Sequence, residues 1–190
     1  MATDPVARFT PEEYLALERR SAAKNEYVHG EIVAMAGASR RHNLIAGNLF
    51  AALHAQLRKG RDCEAYTNDM HIHIPATGLY TYSDVAVACG EPRFDDGELD
   101  TLLNPILIAE VLSKSTEDYD RGSKFANYRT LSSFSEYLVI AQDRVHVEHH
   151  VREAEDRWVL TETDDPGASL ELPSIRCTLA LADVYDRVFL

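Results

Sequence analysis

A mixed α/β fold, with helices packed on a central sheet, is predicted by three features of the sequence. Helical and strand patterns follow one another as helix, strands, long helix, strands, helix, strands, which departs from a regular βαβ series. Residues 105–112 form an apolar run broken only by Glu110, as expected of a strand buried on both faces of a sheet. The chain has 190 residues, enough for one sizeable core, and no repeat, low-complexity segment or long linker divides it. Residues 1–190 are therefore expected to form a single domain.

Thr10-Pro11-Glu12-Glu13 opens the first helix, with Thr10 as N-cap, Pro11 in the first turn and Glu13 placed for a capping box; it runs to about residue 20. Residues 27–35 read as a short strand, a turn at Gly30 and a second strand. From Ser39 a longer helix extends to about residue 58, because Leu44, Ile45, Leu49, Phe50, Leu53 and Leu57 recur at helical spacing and form one apolar stripe. Residues 63–75 alternate as one or two strands before a turn at Gly78. Two acid-bearing apolar strands come next, residues 82–88 and 105–112, separated by the loop Asp95-Asp96-Gly97-Glu98. A helix from about residue 117 to 131 carries Lys124 and Arg129. Strands are expected at 136–141, 144–151, 157–163 and 169–172, and a short helix near 179–185.

Composition narrows the function classes. A formal net charge of −12 argues against a general nucleic-acid coat protein, whose surface would be basic, though it leaves room for a nuclease with an acidic metal site. No apolar run reaches 18 residues, so no membrane span is expected. Cys63, Cys89 and Cys177 are odd in number, far apart and without CxxC spacing, and read as buried thiols of a reducing compartment. Residues 1–5 lack the basic and apolar regions of a signal peptide. The cytoplasm is the expected location.

Glu110 is the most informative residue. An ionised carboxylate in a doubly buried strand costs several kcal/mol unless a cation, an ion pair or strong donors offset it. Asp84 repeats the pattern at the mouth of Val85-Ala86-Val87-Ala88. Two such acids on neighbouring strands suit a divalent cation such as Mg²⁺, which takes carboxylates, a carbonyl and waters. The plain alternative is a strand-end aspartate plus a glutamate paired with a structural arginine. Lys124, on the helix that leaves the Glu110 strand, could stabilise an anionic transition state or sit on the surface, as helical lysines usually do. Glu31, just after Gly30, could complete a cation site or be an exposed hairpin acid. His71 and His73 share a strand face but lack a third ligand of telling spacing, whereas His149 and His150 point to opposite faces. Asp69 fits a turn or a supporting acid. Two basic clusters, Arg40-Arg41-His42 and Arg58-Lys59-Gly60-Arg61, flank the long helix. There is no phosphate-binding glycine loop, GxSxG elbow or HExxH helix.

Several of these segments, in order along the chain, resemble one bacterial family. They are Tyr27-Val28-His29-Gly30-Glu31, Ala36-Gly37-Ala38-Ser39-Arg40-Arg41-His42, Tyr82-Ser83-Asp84-Val85, Ile108-Ala109-Glu110-Val111-Leu112-Ser113-Lys114-Ser115-Thr116 and Asp118-Tyr119-Asp120-Arg121-Gly122-Ser123-Lys124-Phe125. The resemblance is to the restriction-endonuclease domain family, common in cyanobacteria and actinobacteria, of the PD-(D/E)XK nuclease superfamily. It implies a restriction-endonuclease-like core, a mixed central β-sheet flanked by helices with additional β-strands. It also implies a Mg²⁺-dependent phosphodiesterase site at a sheet edge. By the resemblance Asp84 and Glu110 are the paired acids, Glu31 the early acidic position, and Lys124 the lysine relocated from two residues after the second acid. Leu112 stands where the superfamily lysine would be, and Ser83 where proline usually precedes the aspartate.

The resulting expectation is an endonuclease acting on DNA. Asp84, Glu110 and the Val111 carbonyl would bind Mg²⁺, with Mn²⁺ as substitute and Glu31 assisting. Lys124 would orient the attacking water, and Arg40, Arg41 and His42 would contact backbone phosphate. A non-catalytic nucleic-acid-binding or regulatory module on the same fold stays open, as does a hydrolase of another phosphoester. A homodimer is compatible with cutting two strands by one site per copy.

Overall fold

The computed structural model describes residues 8–190; residues 1–5, read above for a leader, lie outside them. Helix α1 (Pro11–Glu18) starts with the expected reciprocal cap, the Thr10 N–H donating to Glu13 and the Glu13 N–H to the Thr10 hydroxyl. Strands β1 (Asn25–Val28) and β2 (Glu31–Ala34) form a hairpin. Its two-residue loop, His29 and Gly30, has positive φ at both positions, the twist that matches antiparallel strands. Helix α2 (Arg40–Leu57) is capped by Ser39 and buries Ile45, Leu49, Leu53 and Leu57, the stripe its spacing predicts.

The strands predicted for one central sheet divide between two. The larger sheet has six strands in the order β11-β10-β9-β8-β6-β3: β3 (Cys63–Thr67), β6 (Val85–Cys89), β8 (Leu107–Val111), β9 (Glu136–Ile140), β10 (Val147–Ala154) and β11 (Arg157–Thr163). All its neighbours are antiparallel except β8 and β9, which are parallel and buried along their whole length. The smaller sheet has five strands in the order β2-β1-β5-β4-β7, adding β4 (His71–Ile74), β5 (Leu79–Tyr82) and the two-residue β7 (Thr101–Leu102). The segment read as one strand over 82–88 is broken at Ser83-Asp84, where the chain crosses from β5 in one sheet to β6 in the other. Helix α3 (Glu117–Tyr119), a π-helical turn (Asp120–Lys124) and α4 (Phe125–Tyr128) form the third helical segment. Strands β12 (Ser169–Leu172) and β13 (Cys177–Ala180) form a separate hairpin before α5 (Leu181–Val184). Strand β13 and β7 were not anticipated; both are short and carry no long alternating pattern.

Period-two alternation builds the layers. Val85, Val87, Leu107, Ala109, Val111, Leu138 and Ile140 face α2, the β12–β13 hairpin and α5. Ala86, Ala88, Ile108, Leu112, Tyr137 and Val139 face the other way, against Tyr128, Leu131 and Phe134 and against Ile72, Ile74 and Leu79 of the smaller sheet. Helix α1 closes the far side of that sheet with Tyr14 and Leu15 on Tyr27 and Tyr80. Among the described residues no helix is long and apolar enough to cross a membrane.

The cysteine reading is corrected. Cys63 and Cys89 face each other as partners across β3 and β6 and are joined by a disulfide; only Cys177 is a free, buried thiol. Sequence spacing does not reveal which strand positions lie opposite each other, and with the disulfide the cysteine-based argument for a reducing compartment falls away.

Candidate active site

Glu110 lies on the face of β8 that looks toward the third helical segment, and it is 4% exposed. Its Oε1 accepts a hydrogen bond from the Tyr128 hydroxyl at 2.9 Å and lies 3.0 Å from Lys124 Nζ. Lys124 closes the π-helical turn, a local one-residue widening of the helix that often marks functional positions. Its ammonium is also 3.5 Å from Asp120 Oδ1 and 3.7 Å from Glu26 Oε1. Three carboxylates therefore surround one buried cation. Burial works against the Lys124 charge, but Glu110, Asp120 and Glu26 together hold its pKa above the ordinary lysine value. One ammonium cannot neutralise three acids. Burial accordingly pushes Glu110 well above the usual carboxylate range, against the pull of Lys124 and with help from Asp120 and Asp84. Asp120 is also raised by burial.

Asp84 sits at the crossing between the two sheets. Its Oδ2 accepts the Val111 N–H at 2.7 Å and lies 3.3 Å from His42 Nε2. His42 is in the first turn of α2, where the Ser39 cap receives its backbone N–H. Ser39 also bonds Gln142, whose amide donates to the Leu112 carbonyl, so the start of α2 is moored to the end of β8. Burial lowers the His42 pKa, yet the hydrogen bond and charge of Asp84 and the Val111 carbonyl outweigh it and leave it raised.

The expected residues are thus distributed unevenly. Asp84, Glu110, Val111 and Lys124 come together. Glu31 does not join them: it is exposed at the hairpin end of β2, and no hydrogen bond or ion pair among the described residues ties it to the cluster. The early-chain acid in the cluster is Glu26, on β1, which accepts a hydrogen bond from Thr81 of β5. Its signal was available, since Glu26 shares a strand face with Val28 by period two. Asp120 was also missed, because a π-helical turn breaks the 3.6-residue spacing from which inward positions are inferred. Of the basic trio, Arg40 and Arg41 are exposed, while His42 turns inward to Asp84. Leu112 points from the Glu110 face of β8 into the apolar layer, so the site's cation comes from the helix.

The other candidates have structural partners. His71 and His73 stack on Tyr82 and Tyr80, with His73 also 3.0 Å from Asp95. Asp69 is exposed and pairs with Lys24. His149 bonds the fully buried Glu136, which also accepts from Ser174, whereas His150 lies on the opposite face beside Glu148. A cavity of about 100 Å³, lined by Val28, Thr77, Leu79, Tyr119, Ser123 and Asn127 among others, adjoins the cluster through Tyr119, whose ring lies under Lys124.

Residues 11–182 match the Uma2 family, described as "Putative restriction endonuclease". The chain belongs to this family. Two relatives from Synechocystis are similar to this Uma2 chain over most of their length. The protein sll1609 is 39% identical over 162 residues, covering 85% of this chain and 91% of its own. The protein slr1290 is 36% identical over 181 residues, covering 95% and 93%. The crystal structure of "a putative nuclease belonging to DUF820" from Anabaena variabilis superposes with a TM-score of 0.74. It covers 95% of the Uma2 chain and 99% of its own at 17% identity, a likeness of fold. The expected restriction-endonuclease-like α/β fold is therefore the fold observed.

Proposed function

We propose that this chain is a metal-dependent endonuclease hydrolysing phosphodiester bonds in DNA. The observation that carries the reading is that Asp84 accepts the Val111 N–H at the end of β8, beside Glu110, whose carboxylate lies 3.0 Å from the Lys124 ammonium. The donor set fits Mg²⁺ or Mn²⁺: two carboxylates and the Val111 carbonyl are hard oxygen ligands, and four carboxylates face only one ammonium and one imidazole. Each acid spends one oxygen on the contacts described, which leaves Asp84 Oδ1 and Glu110 Oε2 for the ion. When bound, the ion supplies Lewis acidity toward a phosphoryl oxygen and toward water.

The protein's own groups do the rest. Lys124 donates a hydrogen bond to the attacking water and offsets negative charge growing on the phosphoryl oxygens. Glu26 and Asp120 keep that ammonium protonated and fixed, acting as positioning residues. His42 orients the Asp84 carboxylate. Arg40 and Arg41, exposed at the start of α2, meet backbone phosphates.

The test is nicking of supercoiled plasmid in Mg²⁺ and Mn²⁺ by wild type, Asp84→Ala and Glu110→Ala, with metal binding measured on the same samples. Joint loss of binding and nicking in folded variants is expected; undiminished nicking by Asp84→Ala would sink the proposal. One observation favours a second reading, a non-catalytic DNA-binding module: Lys124 is enclosed by three carboxylates in a protein of net charge −12. That reading predicts DNA retention without turnover in either metal. A small chromogenic phosphodiester assayed beside plasmid distinguishes a hydrolase of other phosphoesters.

A further inference from the structure

A second constellation of ligating side chains lies on the β10–β11 hairpin and plays no part in the site above. His146, just before β10, and Glu148 and His150, within it, occupy alternate positions and so share one face. Glu162 of β11 is the direct partner of Glu148 across the pair. The fold therefore sets two carboxylates side by side, an arrangement that destabilises a sheet unless something offsets the repulsion. Arg121 offsets part of it, donating from Nε to Glu148 Oε1 at 2.7 Å, but it has no ion pair with Glu162. What stands between the two acids is the His146 imidazole.

The distances suit coordination better than direct hydrogen bonding. His146 Nε2 is 3.4 Å from Glu162 Oε1 and 3.9 Å from Glu148 Oε1, and one ligand atom from each of the three residues lies within 4.8 Å of the others. Ligand atoms about 2.0–2.1 Å from a tetrahedral zinc ion are roughly 3.3–3.4 Å apart, so the His146–Glu162 pair already has the spacing and the contacts to Glu148 must shorten, by up to about 1.5 Å. The Glu148 carboxylate forms the buried floor and Glu162 the exposed rim, which gives an ion a path from solvent. Arg121 acts as an outer partner that fixes the carboxylate's orientation.

We propose that His146, Glu148 and Glu162 form a second metal site, selective for a late first-row divalent cation of the Zn²⁺ type. Solvent fills the fourth position, and the ion pins β11 to β10. An imidazole-containing set discriminates against Mg²⁺, which prefers oxygen ligands, so the two sites differ in the ion they take. This inference does not depend on the nuclease reading.

The test uses untagged protein, with Zn²⁺ calorimetry and Co²⁺ visible absorption on wild type, Asp84→Ala, His146→Ala and Glu162→Gln. Thermal melts check folding and record the stabilisation by Zn²⁺. One Zn²⁺ equivalent should persist in Asp84→Ala. His146→Ala and Glu162→Gln should each weaken that equivalent by at least about tenfold and abolish the zinc-dependent rise in melting temperature. Because Glu162 is exposed, its variant should fold whatever happens at His146. Zinc binding unchanged in both variants, or absent from Asp84→Ala, overturns the proposal and leaves the cluster as an ion-pair network.

Discussion

Replacing Lys124 by methionine removes the ammonium but keeps an unbranched chain that can fill the same space. Glu110, Asp120 and Glu26 then face one another without a counter-charge at a position where the lysine side chain is 4% exposed. Removing one partner of a buried pair costs about 3–5 kcal/mol. Glu110 and Asp120, whose pKa values burial already raises, can take up protons and relieve part of this. The loss should therefore fall near the lower end, about 3–4 kcal/mol. For a chain of 190 residues that is a fall in melting temperature of roughly 6–16 °C. Urea unfolding at neutral pH reads the value directly. Adding Glu110→Gln to Lys124→Met should recover much of it, because the second change removes a charge the first left unpaired. With the proposed metal site in place, Mg²⁺ should stabilise Lys124→Met more than wild type, since an ion there no longer competes with an ammonium. A loss below about 1 kcal/mol, or identical Mg²⁺ responses, would refute the account of Lys124 as the site's neutralising charge.

Three further outcomes follow from the geometry. Glu26→Gln should reduce plasmid nicking more than Glu31→Gln, because only Glu26 contacts Lys124; the reverse order would restore Glu31 as the early acid. Thiol titration of protein unfolded without reductant should find one reactive cysteine. Cys63→Ser/Cys89→Ser should lose about 3.5 kcal/mol, given a separation of 26 residues, while three free thiols would show the pairing does not form. Burial lowers the His71 pKa, so at this group the unfolded chain takes up a proton first as pH falls below the ordinary histidine value, and the His71 contribution to stability falls there. His71→Phe, which keeps a ring against Tyr82, should flatten that acid limb in urea midpoints compared at about pH 7.5 and 5.5; an unchanged slope would remove His71 as its source.

Asp84 and Glu110 were legible because a carboxylate in an apolar strand stands out, and β8 is buried along its length. The α2 stripe and the hairpin at His29-Gly30 were legible for the same reason, a local pattern with one solution. Partnership between distant strands was not. Whether Cys63 meets Cys89, or Glu148 meets Glu162, depends on register, which no short window encodes. The split into two sheets has no local signal, because Tyr82 and Val85 carry the same β-prone character on either side of the break. His42 is expected from the sequence to meet phosphate with Arg40 and Arg41, whereas the Ser39 cap sets the first turn's rotation and swings it toward Asp84.

The widened turn from Asp120 to Lys124 gives segment length a say in whether this centre exists at all. Such a turn is one residue longer than the α-helical path it replaces, and each residue of an α-helix advances about 100° around the axis. Deleting Gly122 would regularise the coil, and either Asp120 or the stretch from Lys124 to Tyr128 would have to swing by that angle. The acid, the ammonium and the phenol that reach Glu110 could no longer do so together. A single-codon deletion, with every charged residue still encoded, would be enough to dismantle the centre, and sequence comparisons that score only residue identity would miss it.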